Sequence, residues 1–70
     1  MKLTINGNDV ELAGAISVSQ LLVEQNVKRP EMVSVELNGQ ILKKSQFQTT
    51  TLADADKVEF LYFMGGGQWS

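Results

Sequence analysis

Three consecutive glycines, Gly65-Gly66-Gly67, follow the apolar run Phe60-Leu61-Tyr62-Phe63-Met64 and are followed in turn by Gln68-Trp69-Ser70. Glycine propagates a strand poorly, because it loses the most backbone entropy on ordering and has no side chain to pack. Gly65 to Gly67 are therefore expected to project as a tether. Lacking Cβ atoms, they can thread a channel closed to other residues and bring main-chain atoms to another protein's reactive centre. The plainer reading is a disordered end or a linker left by cloning.

Little else in the chain could do chemistry. The sequence has no cysteine and no histidine, which removes the thiolate nucleophile, the disulfide staple, the commonest metal ligand and the commonest general base. Asp54 and Asp56 are a close acidic pair within Ala53-Asp54-Ala55-Asp56, and residues of this kind there read as turn formers rather than metal ligands. No catalytic residue, metal or cofactor is assigned, and the chain is not read as an enzyme. Six Lys and Arg against eight Asp and Glu give a net charge of −2, with no basic run longer than Lys28-Arg29 or Lys43-Lys44. A nucleic-acid partner is not supported. Met1-Lys2-Leu3-Thr4-Ile5-Asn6 is too polar for a secretory signal, and no apolar run approaches the ~20 residues of a membrane span. A cytoplasmic protein with no membrane partner is the expectation.

The 70 residues allow one domain, which at this size hides only about 60% of the surface of its unfolded chain. Lys2 to Asn6 alternates, with Leu3 and Ile5 on one face, and Asn6-Gly7-Asn8-Asp9 supplies a tight turn before a return strand over Val10 to Leu12. Ser17 is placed to cap a helix, Gln20 to complete a capping box and Ile16 to staple onto Leu21. Val18, Leu21, Leu22 and Gln25 then recur at helical spacing with Glu24 opposite, and Asn26 is a left-handed stop ahead of Arg29-Pro30. Met32 to Leu37 alternates again, Asn38-Gly39 is a strong hairpin signal, and Gln40 to Leu42 is its partner strand. An irregular stretch from Lys43 to Asp56, anchored by Phe47 and Leu52, leads to a last strand from Lys57 to Phe63.

Strand, strand, helix, strand, strand, irregular stretch, strand is the order of a β-grasp: an α+β, ubiquitin-like fold with a mixed five-stranded sheet and one helix packed across one face. In it the first and last strands lie parallel at the centre of the sheet. One helix covers one face, so Leu3, Ile5, Val33, Val35, Val58 and Phe60 should meet Val18, Leu21 and Leu22. If Val58, Phe60 and Tyr62 lean toward the helix, Glu59, Leu61 and Phe63 stand on the open face beside Lys2, Thr4, Ser34 and Glu36. Apolar residues on a polar surface mark a docking site, unless Leu61 and Phe63 pack under Met1 or the stretch from Lys43 to Leu52. Lys43 and Lys44 read as a solvated face that could also pair with acidic residues of a partner. The domain boundary falls at residue 64, with residues 65–70 as a glycine tail and its extension.

The closing stretch Asp56-Lys57-Val58-Glu59-Phe60-Leu61-Tyr62-Phe63-Met64-Gly65-Gly66-Gly67, on this pattern and length, resembles the ThiS sulfur-carrier family, with the related MoaD carriers more distant. The resemblance spans the chain, including the Ser17 helix start, the Asn38-Gly39 hairpin and Leu52-Ala53-Asp54-Ala55-Asp56. It implies that an E1-like adenylating enzyme (ThiF-like) with ATP and magnesium converts a terminal glycine carboxylate to an acyl-adenylate. A sulfur donor then displaces AMP to leave a thiocarboxylate. It further implies a sulfur-accepting synthase, either a ThiG-like enzyme of thiamin (thiazole) biosynthesis or an amino-acid synthase making cysteine or homocysteine. Leu61, Phe63, Glu59 and Met64 are the docking candidates.

The sequence departs from that pattern after the glycines. In register from Asp56, Gly66 and Gly67 are the functional pair and Gly65 replaces the small residue before it. Either a metallopeptidase removes Gln68-Trp69-Ser70 to expose Gly67, or the extension silences the carrier; Trp69 is too bulky for a channel that admits only glycine backbone. The same end would suit a ubiquitin-like modifier conjugated to lysines, and the fold alone would suit a β-grasp interaction module.

Overall fold

Two asparagine-glycine pairs shape the sheet. At Asn6-Gly7 the φ angles are 50° and 83°, and at Asn38-Gly39 they are 50° and 88°. Positive φ at both central residues gives the two-residue hairpin turn whose twist matches that of its strands. A computed structural model describes residues 1–62. Phe63, Met64, the glycines Gly65, Gly66 and Gly67, and Gln68, Trp69 and Ser70 lie outside the described residues, as does the expected domain boundary at residue 64.

The first turn joins β1 (Lys2–Ile5) to β2 (Asn8–Glu11), with Ile5 opposite Asn8. The return strand thus starts two residues earlier than its apolar pattern indicated, since a two-residue loop leaves Asn8 and Asp9 within the ladder. The second turn joins β3 (Val33–Leu37) to β4 (Gln40–Ile41). Pro30–Met32 forms a 3₁₀ turn, so β3 opens at Val33 rather than Met32. The last strand, β5 (Lys57–Tyr62), lies between β1 and β3 in the order β2-β1-β5-β3-β4. It runs parallel to β1 and antiparallel to β3, which is the mixed sheet of a β-grasp.

The helix α1 (Val18–Glu24) crosses one face. Ser17 Oγ accepts the Gln20 N–H at 3.1 Å while Gln20 Oε1 accepts the Ser17 N–H at 2.9 Å, the reciprocal capping box. At the other end Asn26 takes φ 57°. Its N–H donates to the Val23 carbonyl and the Val27 N–H to the Leu22 carbonyl, both at 3.0 Å, which completes a Schellman motif. Leu3, Ile5, Val33, Val35, Val58 and Phe60 of the sheet and Val18, Leu21 and Leu22 of the helix are all buried, with Phe47 and Leu52 closing the same core. The irregular stretch contains one 3₁₀ turn at Lys44–Gln46 and a single bridge from Thr51 to Ser17.

Tyr62 departs from the expectation. Its register partner Val33 is fully buried, yet Tyr62 itself is 44% exposed. β1 pairs with β5 only at Lys57 and Val58, so the end of β5 has a neighbouring strand on the β3 side alone. Among the described residues no helix is long and apolar enough to cross a membrane.

Candidate functional site

The sheet face turned away from α1 is built by alternation. Register pairs Glu36 with Glu59 and with Ile41, Ser34 with Leu61, Thr4 with Lys57 and with Asp9, and Lys2 with Glu11. These residues sit between the buried positions of their strands and so share the opposite face. Lys2, Thr4, Ser34, Glu36, Glu59 and Leu61 are all there, as the alternation indicated. Leu61 is 38% exposed and is not packed away under Met1 or the stretch from Lys43 to Leu52.

Across β4, β3 and β5 the face presents Ile41, Glu36 and Glu59 in one row and Ser34 and Leu61 in the next, toward the end of β5. Ile41 is 58% exposed and was not among the docking candidates. The signal was present: after a two-residue Asn38-Gly39 turn, Gln40 faces with Leu37 and the next residue must face away. Glu36 and Glu59 are half-buried like charges directly opposite each other, an arrangement that destabilises a sheet. Among the described residues, the one ion pair within 4.0 Å joins the Met1 ammonium to Glu11 at 3.6 Å. The two glutamates therefore have no cation of their own within that distance.

The acidic pair at the start of β5 is otherwise engaged. Asp54 Oδ1 accepts the Lys2 N–H at 2.7 Å; Asp56 accepts the Asn38 amide at 3.0 Å and the Ala53 N–H at 2.8 Å. Asn38 Oδ1 in turn accepts the Lys57 N–H at 2.9 Å. Both carboxylates are turn formers. Among the described residues no group of three or more Asp, Glu, His or Cys is arranged to hold a metal ion.

Lys44 is exposed, as a solvated face requires, but its ammonium is not idle. Its ammonium donates to the carbonyls of Glu31 at 2.7 Å and Val33 at 3.1 Å, because β4 is too short to reach them. Asn6 serves the last strand similarly: its Oδ1 accepts the Phe60 N–H at 2.8 Å, one step beyond the end of β1. These side chains hold the backbone of the last strand and its neighbour, and leave the open face free. Of the docking candidates, Leu61 and Glu59 come together on that face; Phe63 and Met64 lie outside the described residues, as do Gly65, Gly66 and Gly67.

Comparison with known proteins gives a consistent result. The family model described as the ThiS family matches residues 3–67. A crystal structure of thiamine biosynthesis protein ThiS from Geobacter metallireducens superposes with a TM-score of 0.86 at 48% identity, covering 96% of this chain and 100% of that one. The sulfur carrier protein ThiS of Bacillus subtilis is 32% identical over 65 residues, 93% of this chain and 98% of that protein. A thiazole synthase of Paramagnetospirillum magneticum is 39% identical over 67 residues, which are 96% of this chain but 20% of the synthase. The chain thus spans about a fifth of the length of that synthase.

Proposed function

The chain belongs to the ThiS family, and from that premise we propose that it is a sulfur carrier whose main-chain end at Gly67 is the reactive group. The observation that carries the reading is the extent of the match, which runs from residue 3 to residue 67 and stops at the last glycine. Gln68-Trp69-Ser70 lies past it, so the residues beyond Gly67 are removed, by a metallopeptidase or another peptidase, before the carrier works.

An α-carboxylate with a pKa near ~3.5 is ionised at neutral pH and is a poor acyl electrophile. Activation must therefore come from outside. An E1-like adenylating enzyme (ThiF-like) joins a Gly67 carboxylate oxygen to the α-phosphate of ATP and releases pyrophosphate. A sulfur nucleophile then attacks the acyl carbon, AMP leaves, and one oxygen of the carboxylate has been replaced by sulfur. Apart from the carboxylate itself, which attacks the α-phosphate, this chain supplies no acid, base or nucleophile to those steps. It supplies the thin backbone of Gly65-Gly66-Gly67 and a face on which the partner docks, made of Leu61, Glu59, Ile41 and Glu36, with Phe63 and Met64 as further docking candidates between Leu61 and the glycines in sequence. Likeness to a thiazole synthase that carries a matching stretch within its own chain supports thiazole synthesis as the destination of the sulfur, ahead of cysteine or homocysteine.

The test is intact mass after incubation with an adenylating enzyme, ATP and sulfide. A chain ended at Gly67 should gain about 16 Da, one oxygen exchanged for sulfur, while the chain ending at Ser70 should not. Equal gain by both would refute masking by the extension, and no gain by the Gly67 chain with any adenylating enzyme of the family would refute the carrier reading.

A further inference from the structure

The hairpin closed by Asn38-Gly39 has unequal arms. β3 runs from Val33 to Leu37, whereas β4 is only Gln40–Ile41, and the Leu42 N–H makes one further ladder-like bond, to the Val35 carbonyl at 2.9 Å. Residues two apart in an antiparallel ladder aim their carbonyls at the same neighbour. The Val33 carbonyl therefore points at an edge where no strand continues. There it meets the Lys44 ammonium at 3.1 Å, which also holds the Glu31 carbonyl at 2.7 Å. Lys44 stands in for the missing length of β4.

The consequence crosses β3. A trans peptide is planar with its C=O and N–H opposed, and no peptide among the described residues is cis. With the Val33 carbonyl held toward Lys44, the Ser34 N–H of the same plane points the other way, at β5, where Ser34 is in register with Leu61. A cation on the carbonyl also polarises that peptide and strengthens the bond its N–H makes. Leu61 and Tyr62 are the last two residues of β5. We infer that Lys44 is a positioning residue for adenylation of the glycine end: by closing the bare edge of β3 it fixes Leu61, and with it the point from which the reactive end is presented. The inference rests on the carrier reading.

Two substitutions test it, Lys44→Met, which keeps the stem and removes the charge, and Lys44→Arg, which keeps both. In the full chain, hydrogen exchange at the Leu61 amide should quicken about 5-fold in K44M. Exchange at Thr4, whose N–H is bonded to the Asp56 carbonyl on the far side of β5, should not change. In chains ended at Gly67, K44M should lower kcat for adenylation about 5-fold with KM moved less than about 2-fold, since docking is intact and alignment is not. K44R should restore both readouts. Equal quickening at Thr4, unaltered exchange at Leu61, or a rise in KM at constant kcat, as a docking cation would give, overturns the inference. Failure of the unsubstituted Gly67 chain to be adenylated overturns the carrier reading instead, and exchange at Leu61 still decides whether Lys44 fixes the end of β5.

Discussion

Ala55 holds φ at 73°, a left-handed conformation in which its Cβ crowds the following carbonyl. The turn needs that conformation: the Ala55 N–H donates to the Lys2 carbonyl at 2.7 Å while Asp54 and Asp56, on either side of it, accept from the Lys2 and Ala53 N–H groups. Removing the Cβ relieves the strain, and the extra freedom of glycine in the unfolded chain offsets part of the gain. Ala55→Gly should therefore stabilise the protein by about 0.5–1 kcal/mol, read as a higher urea midpoint at unchanged slope. A lower midpoint would mean that the turn is not strained. Asn38 shows why a turn residue can be more than a conformational choice, because its side chain also holds Asp56 and the Lys57 N–H. Asn38→Gly keeps the backbone angle and loses both bonds, so it should cost about 1–2 kcal/mol in the same measurement. A neutral result would show that water replaces the side chain there without loss.

At the scale of elements, α1 depends on its ends. Seven residues are too few for an isolated helix, so the capping box and the core contacts of Val18, Leu21 and Leu22 must hold it. Ser17→Ala should cost about 1 kcal/mol. Leu21→Ala, at a position with no exposed surface, should cost about 2–5 kcal/mol. Thermal unfolding of the two variants checks the ranking, and a larger loss for Ser17→Ala than for Leu21→Ala would contradict it. These features were legible before any coordinates, because each is local: Ser17 to Gln20, Asn26, the two Asn-Gly turns and the alternation in β1, β3 and β5 are all spelled out within a few residues. The parallel pairing of β1 with β5 followed from the fold pattern and not from any local signal. Lys44 and Tyr62 were not legible. What decides them is which strand ends first, β4 beside β3 for Lys44 and β1 beside β5 for Tyr62, and that length is not written at the residue concerned. The face of the candidate site was readable from alternation, whereas Ile41 was overlooked although the same alternation placed it. The absence of cysteine and histidine had already directed attention from side-chain chemistry to the main-chain end.

For the whole molecule, the docking proposed for the open face sets partner recognition against stability. Glu36 and Glu59 are like charges in register, and a sheet optimised for stability alone would place an opposite charge or a β-branched residue at one of them. Their placement side by side, flanked by exposed Ile41 and Leu61, is explained if a cationic side chain of the docked partner proposed above lies between them. A second copy of this chain brought face to face with the same pair would add two more negative charges. Replacing both by glutamine keeps size and shape and removes the charge. The double variant should be more stable by about 0.5 kcal/mol, while its association with the adenylating enzyme should weaken about 3–10-fold at low salt, mainly through a slower on-rate. The deficit should shrink as ionic strength rises toward about 1 M, where the screening length falls to about 3 Å. Unfolding midpoints and association rates across a salt series measure the two effects on the same protein. A gain in stability with undiminished association at low salt would place the partner's contact elsewhere on the molecule, because a docked cation cannot be indifferent to the loss of both carboxylates.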